Sequence, residues 1–599
     1  MPVVGTAGHV DHGKSTLVAA LTGINPDRWA EERRRGLTID LGFAWANLPD
    51  GQRVSFVDVP GHERFIKNML AGIEAIDAAL LLVAANEGWM PQSEEHLAVL
   101  DLLEVTRGVV ALTKTDLVDS ELASLVEMEI AEKLSGTAAA GWPVIRVSVP
   151  HGLGLDEVAA NLSAALAGYS PEDLGRPRMW IDRTFSIRGA GTVVTGTLLD
   201  GGLSVGDRVE VWPEQVTARI RGIESHGEAL PRVGPGWRVA ANLAGLGRHT
   251  PERGSMLTAP GQWRSTDSAL AIVHPARYVV GGLPRKGAYH LHVGSGAWPV
   301  RFTPLEKSPG PVLAHLQPAE PLGLVMGDRF ILRETGRRMV VGGGRIVDPE
   351  APPTMARRLV AGARLAELVG SPPHHQAEGL LEVRGKASLD QLAAHTRGGV
   401  PHRGMKAAGM VISDRLAESL KARLETIVER HHRENPFQLG MPTASAASEL
   451  GIGQALLVKL TDSHPRILAE GTVVRDPEAQ GDLDPAEAPA WVEARRRLSE
   501  GGLLTPDPAS LGLDEDLAHA LQRAGLIVRI SPSICYLPEQ VEMLLHTAGS
   551  LSQPFTVSAF REAAGLSRKY AVPFLEWADR HGITRRRGDL RHLVERVGD

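Results

Sequence analysis

A single cysteine, Cys535, stands in 599 residues, so no internal disulfide framework can form, and a reducing compartment is expected. No run of about 18 uncharged apolar residues occurs, which leaves no candidate for a membrane-spanning helix. The first residues already read as a strand and loop, so no signal peptide is expected. A basic surplus is missing as well. The 64 Lys and Arg face 71 Asp and Glu, a net charge of -7, so any nucleic-acid site must be local. What remains is ordinary globular composition, 43% hydrophobic and 23% charged, with 65 Gly and 40 Pro that imply many turns and some β-rich parts. At this length several domains are expected, in a cytoplasmic protein without membrane partners.

The densest signal is at the start. Gly8-His9-Val10-Asp11-His12-Gly13-Lys14-Ser15 fits G-x-x-x-x-G-K-[ST] between a short apolar strand (2–7) and a helical run that begins with Thr16. In that context loop amides and a helix N-terminus face phosphates, Lys14 reaches the β and γ phosphates, and Ser15 holds Mg²⁺. The strand 54–59 runs into Pro60-Gly61-His62, which places Asp58 for Mg²⁺ and the Gly61 amide for a γ-phosphate. Ala78–Val83 is apolar throughout, as a doubly covered parallel strand should be. The strand 108–112 leads into Thr113-Lys114-Thr115-Asp116. There the Asp116 carboxylate can accept guanine's ring N–H and amino group, and the Lys114 stem can lie across the base. After the strand 144–147, Ser148-Val149 offers an amide to the guanine carbonyl. His9 and His12 could suggest a metal site, but their place in the loop favours shaping it.

Five such motifs in this order resemble the translational GTPases. The resemblance implies GTP/GDP and Mg²⁺ as ligands and GTP hydrolysis stimulated by the ribosome. It implies that Thr38, in Arg35-Gly36-Leu37-Thr38, closes on Mg²⁺ and γ-phosphate, and that His62 positions the attacking water. Two departures stand out: Thr113 replaces the usual Asn, losing an amide tether, and Pro150 stands where Lys is frequent.

From about 175 the texture becomes short alternating strands with frequent glycines, first over 175–260 and again over 261–352, expected as two β-barrels. Gly342-Gly343-Gly344-Arg345-Ile346-Val347 reads as a last strand after a turn. Gly189–Thr197 and Val205-Gly206-Asp207 resemble the second domain of elongation factor Tu and its relatives. Ile181-Asp182-Arg183 and Gly236-Trp237-Arg238 resemble the selenocysteine-specific elongation factors, which implies that Asp182, Arg183 and Arg238 line an aminoacyl pocket. The chemistry agrees. A selenol ionises near neutral pH, so two arginines would favour it, whereas a seryl group would leave their charge uncompensated.

The chain then continues for well over two hundred residues with helical texture. A linker helix (353–370) precedes a loose repeat of helix, short helix, helix and hairpin, expected as winged helices over 371–415, 416–485, 486–537 and 538–599. The last copy is clearest, with its hairpin turning at Gly588. From 561 to 599 nine Lys and Arg meet six Asp and Glu, a local charge of +3. Arg568 and Lys569 start its third helix, and Arg585, Arg586 and Arg587 stand in its wing, all suited to RNA phosphates. Gly565–Tyr570 resembles the last winged helix of the bacterial selenocysteine factor, which implies an mRNA hairpin as ligand. The pairs His374-His375 and His431-His432 lack zinc-ligand spacing. Residues 476–482 read as a polar linker between copies.

The fold expected is therefore multidomain: an α/β P-loop GTPase domain, two β-barrels and an array of winged-helix (α+β) modules. The resemblance implies delivery of selenocysteinyl-tRNA to the ribosome at UGA codons by a monomer that grips an mRNA hairpin. Two rivals share features: a metabolic GTPase of sulfate-activating type has the same front half but no need of the tail, and a DNA-binding regulator would use GTP as a switch.

Overall fold

Short apolar runs bounded by glycine and turn residues are strands here because both faces are covered. The structure, a computed structural model, describes residues 1–26, 41–60, 76–187, 191–284, 287–478 and 484–594. The chain divides into two compact units, Met1–Arg403 and Gly404–Asp599.

The first unit begins with a six-stranded sheet: β1 (Val3–Gly8), β2 (Gly42–Asn47), β3 (Arg53–Asp58), β4 (Ala78–Ala84), β5 (Gly108–Thr113) and β6 (Val144–Arg146). Its order is β2-β3-β1-β4-β5-β6. Only β2 is antiparallel to its neighbour; the other pairings are parallel. Every residue of β1, β4 and β5 is buried, so the strands read as continuous apolar runs. Helices α1 (Lys14–Thr22), α2 (Pro91–Leu102), α3 (Ser120–Leu134) and α4 (Leu155–Leu166) complete the described part of this domain. Parallel strands end on the same edge, and there the loops after β1, β3, β5 and β6 gather.

Next come two barrels. In the first, strands from Arg178–Trp180 to Met256–Thr258 form one sheet that closes where Arg208–Trp212 pairs Val216–Ser225. The second is a closed six-stranded barrel from Ala269–Pro275 to Met339–Asp348. As expected, Gly342–Val347 lies in this last strand, after a turn over 335–338, and glycine is needed there. The reason is close approach: a Cβ on Gly344 would meet the Ile272 carbonyl oxygen at 2.0 Å, and one on Gly343 would meet the Phe330 oxygen at 2.6 Å. The two barrels are tied by Arg178, which donates both Nη groups to Asp328 at 2.9 Å, with both side chains buried.

The helix Met355–Ala366 is no free linker. It buries Ala361, Gly362 and Leu365, and Gly362 sits so close to Leu313 of the second barrel that a Cβ would meet it at 2.8 Å. Helices Pro373–Arg384 and Leu389–His395 follow, the first fixed by an Arg384–Asp348 ion pair at 2.6 Å. The third helix expected of this first module is not formed. Residues 396–404 are turn and loop, with Arg397 and Gly398 at positive φ, and Gly399 passing so near Pro373 that a Cβ would lie 2.0 Å from its carbonyl oxygen.

In the second unit three copies show helix, short helix, helix and hairpin. One runs from Asp414–Glu434 through Thr443–Leu450 and Gln454–Asp462 to the strands Leu468–Glu470 and Val473–Arg475. The next has Pro489–Gly501, a 3₁₀ turn at Pro508–Leu511, Glu515–Arg523 and strands Val528–Ser531 and Ile534–Tyr536. The last has Pro538–Gly549, Val557–Ala563, Arg568–Arg580 and strands Thr584–Arg587 and Leu590–Leu593. The polar linker expected from residue 476 does not start there: Asp476 is fully buried and pairs with Arg466 at 2.6 Å. Among the described residues no helix is long and apolar enough to cross a membrane.

Candidate functional site

The loop after β1 is built around backbone conformations that only some residues tolerate. Gly8, Asp11 and Gly13 all have positive φ, and a Cβ on Gly8 would sit 2.3 Å from the Leu82 carbonyl oxygen. Gly13 caps α1, whose first residue Lys14 is buried and points its ammonium back into the loop, donating to the carbonyls of Gly8 at 3.1 Å and His9 at 2.7 Å. Ser15 opposes β3: its Oγ donates to Asp58 Oδ2 at 2.6 Å, while Thr6 Oγ1 donates to Asp58 Oδ1 at 2.7 Å. A hydroxyl and a fully buried carboxylate side by side are the hard oxygen donors that Mg²⁺ prefers, so these residues fit that ion. Val10, Asp11 and Thr16 lie in or just after the same loop. Thr38, Gly61 and His62 fall outside the described residues.

His12 is buried against Leu82, its Nδ1 at 3.1 Å from that carbonyl oxygen, and burial pushes its pKa down to about 4. It is a neutral wall of the loop. Among the described residues no group of three or more His, Cys, Asp or Glu is arranged to hold a metal ion.

The residues expected to read the base also converge. Lys114 adopts positive φ and its Nζ lies 3.0 Å from Glu87. Ser148 Oγ donates to Asp116 Oδ1 at 2.7 Å, and that bond holds the Asp116 carboxyl below the usual carboxylate range. Val149 opens the turn Val149–His151, with Pro150 inside it. The amide of the usual Asn is absent at Thr113, as expected, and a hydroxyl stands in its place. Thr113 Oγ1 donates to the His12 carbonyl at 2.8 Å, so a hydroxyl ties the base loop to the phosphate loop.

Sequence reasoning passed over two residues of α2 that bind this loop. His96 Nδ1 accepts the Gly8 N–H at 2.8 Å, and Gln92 Oε1 accepts the Val10 N–H at 3.1 Å. The available signal was their i, i+4 spacing, one polar pair on a helix whose neighbours Leu97, Ala98 and Val99 are buried.

A second cluster lies where the first barrel meets β2. Arg238 forks onto Asp182, with its Nη2 at 2.8 Å from Oδ1, and Thr195 Oγ1 donates to the same carboxylate at 2.7 Å. Arg183 Nη2 donates to the Leu41 carbonyl at 2.5 Å. The Phe43 ring lies under both guanidiniums, its centroid 3.7 Å from Arg238 Cζ and 5.3 Å from Arg183 Cζ. Phe43, Arg183, Thr195 and Arg238 border a cleft of about 260 Å³ that Trp45 and His226 also line; Asp182 stands behind Arg238 and does not line it. The charge argument made from sequence needs correction. Asp182 pairs with Arg238, so one of the two arginine charges is already met within the cluster.

In the second unit the basic residues expected to meet RNA are separated by the fold into two groups. Arg568 and Lys569 are exposed at the N-terminus of the helix Arg568–Arg580, and Arg585, Arg586 and Arg587 are exposed on the wing strand. Arg591, counted with them in the local charge, is instead buried and bonded to Asp579 at 2.8 Å.

Comparison with known proteins supplies three family models. One described as the elongation factor Tu GTP-binding domain matches residues 1–171. A model of the β-barrel domain of selenocysteine-specific elongation factor matches 282–353, and one of the elongation factor SelB winged helix matches 549–593. The selenocysteine-specific elongation factor of Desulfomicrobium baculatum is 32% identical over 655 residues, covering 100% of both chains. That of Escherichia coli strain K12 is 31% identical over 618 residues, covering 98% of each. A crystal structure of a bacterial selenocysteine-specific elongation factor, EF-Sec, superposes with a TM-score of 0.77 at 25% identity, over 99% of this chain and 100% of that one.

Proposed function

The chain belongs to the selenocysteine-specific translation elongation factors, and from that premise we propose that it carries selenocysteinyl-tRNA to the ribosome at UGA codons while its last winged helix holds a hairpin of the mRNA. Membership makes it a translational GTPase with winged-helix modules. The finer reading is supported above all by one observation: a phosphate loop tied to the loop of Lys114 and Asp116, an arginine-lined cleft and a terminal winged helix with five exposed basic side chains occur in a single chain. A sulfate-activating enzyme has no use for the last of these. A DNA-reading regulator has none for the cleft.

The residues divide the work. Asp116, oriented by Ser148, takes the two N–H groups of guanine, and Lys114 flanks the base. Lys14 leaves its loop carbonyls for the β and γ phosphates, an exchange that costs little because both partners are oxygen acceptors. Ser15 and Asp58, with Thr38, would hold Mg²⁺, which when bound supplies positive charge against the phosphate oxygens. His62 orients water for attack on the γ-phosphorus, and the oriented loop amides stabilise the charge that develops. In the cleft Arg183 faces the aminoacyl side chain while Asp182 keeps Arg238 in plane. Hydrolysis then lets the tRNA go.

The test is equilibrium binding of selenocysteinyl-tRNA and seryl-tRNA to the GTP-bound protein. Binding at least about tenfold tighter for the selenocysteinyl form is expected, since one charge-assisted contact contributes about 1.5–3 kcal/mol. Equal affinities would overturn the reading.

A further inference from the structure

We propose that His96 is a positioning residue of the phosphate loop, and that through it the second barrel sets how fast nucleotide leaves. The loop is wedged between two elements. On one side Gly8 presses against the β4 carbonyl of Leu82, so closely that no side chain fits. On the other its N–H ends on His96 and that of Val10 on Gln92, both on α2. Neither amide is therefore aimed at a phosphate; together they fix the path of the loop so that the following amides are. His96 can accept only as a neutral ring protonated on Nε2, and burial, reinforced by Lys14, lowers its pKa to about 3.

The opposite side of α2 belongs to the second barrel. Ala276, Ile331 and Val340 of that barrel share one hydrophobic cluster with Leu97, Leu100 and Leu102 of the helix. Arg277 reaches Glu94 at 3.2 Å and donates to the Lys133 carbonyl at 2.6 Å. Gly343 gives the helix room, its missing Cβ lying 3.2 Å from that of Leu102. Just beyond the helix Arg345 forks onto Glu104 at 3.0 and 2.5 Å. So the barrel grips α2 at 94 and 102 and the turn after it at 104, while α2 grips the loop at 92 and 96. A helix is stiff over three turns. A shift of about 1 Å imposed at the barrel side would carry bonds of 2.8 and 3.1 Å beyond hydrogen-bonding range. Rearrangement of the barrel would then loosen the loop.

The experiment follows release of a fluorescent GDP analogue from the full-length protein by stopped flow. His96→Ala should speed release roughly 3- to 10-fold, the equivalent of one lost hydrogen bond, and His96→Gln, which restores an acceptor, should recover most of it. Arg277→Ala, at the partly exposed barrel contact, should also change the release rate. In the His96→Ala background Arg277→Ala should add nothing to the rate, although the two should still add in the melting temperature. Release unchanged by Arg277→Ala, or two independent multiplicative effects on the rate, would overturn the proposal. If His96→Ala fails to fold, Gln92→Ala takes its place in the same cycle with the same outcomes.

Discussion

Ser148 uses its hydroxyl to hold one oxygen of Asp116, and in the proposed reading the other oxygen serves the base. That division makes the loop's selectivity testable. Asp116→Asn presents an amide to guanine's two donors, a mismatch, but can donate to the extra carbonyl of xanthine. The variant should prefer XTP over GTP in competition binding; unchanged GTP affinity would remove Asp116 from base recognition. In the cleft two arginines have different fates. Arg183→Ala should reduce discrimination between selenocysteinyl- and seryl-tRNA, while Arg238→Ala leaves Asp182 buried beside Thr195 and should lower stability by about 1–3 kcal/mol. Measured melting curves and tRNA affinities separate the two, and identical behaviour of both variants would contradict this assignment. Acid gives a third residue-scale test. His12 and His96 have folded pKa values lowered to about 4 and about 3 by burial, against about 6.5 unfolded. Above 6.5 both states hold them neutral. As pH falls below 6.5 only the unfolded chain takes the protons, so stability drops by up to about 1.4 kcal/mol per pH unit per group, until about pH 4 for His12 and about pH 3 for His96. A melting temperature of the wild type that falls between pH 6.5 and 4 no faster than that of His96→Gln would refute the histidine contribution.

At the scale of elements, the terminal recognition helix and wing carry their charge in the open. Arg568 and Lys569 sit on the first turn of the helix, exposed, with Lys569 Nζ over the Tyr570 ring at 5.3 Å. Replacing both with Ala removes up to two phosphate contacts. The slope of log affinity for the hairpin against log salt should flatten by up to about 1.4–1.8, while GTP hydrolysis is unchanged. An unaltered slope would make these residues a solvated face only. Such elements were legible from sequence for a physical reason. The helix begins at Ser567-Arg568 after Gly565, and the hairpin turns at Gly588, both local signals that tertiary context had no cause to override. The strand β4, apolar at every position, was equally plain. What sequence could not disclose were elements decided by distant partners. Residues 396–404 fail to form a helix because Gly399 must pass beneath Pro373. In the site the motif residues were recognisable by spacing, whereas His96, Gln92 and Phe43 act from other strands and helices, and their roles depend on pairings tens of residues away.

For the whole molecule, the question is how much of the tail is needed to grip RNA without the switch. A cut near Leu537 looks natural in the sequence, since the last helix–helix–helix–hairpin unit starts at Pro538. The core says otherwise. Ile530, Ile534 and Tyr536, from the hairpin before the cut, belong to the same buried cluster as Leu544, Phe560 and Phe574 after it. Gln540 Nε2 donates to the carbonyls of Leu498 and Gly502 at 2.8 and 2.9 Å, and Tyr570 donates to the Thr505 carbonyl at 3.1 Å. A fragment starting at 537 would expose those partners, and losing each fully buried large apolar side chain costs about 1.5–3 kcal/mol. It should therefore be largely unfolded at 37 °C. A fragment starting at 484 retains both modules with their shared core, and it keeps the five exposed basic residues in the geometry described above. That fragment should melt cooperatively and bind the mRNA hairpin with the salt slope of the intact protein, in the absence of GTP. Circular dichroism melting of the two fragments and hairpin titrations across a salt series check both statements. A stable 537–599 fragment with full affinity would mean that the shared core is dispensable, and a 484–599 fragment that ignores the hairpin would place the RNA grip elsewhere in the chain.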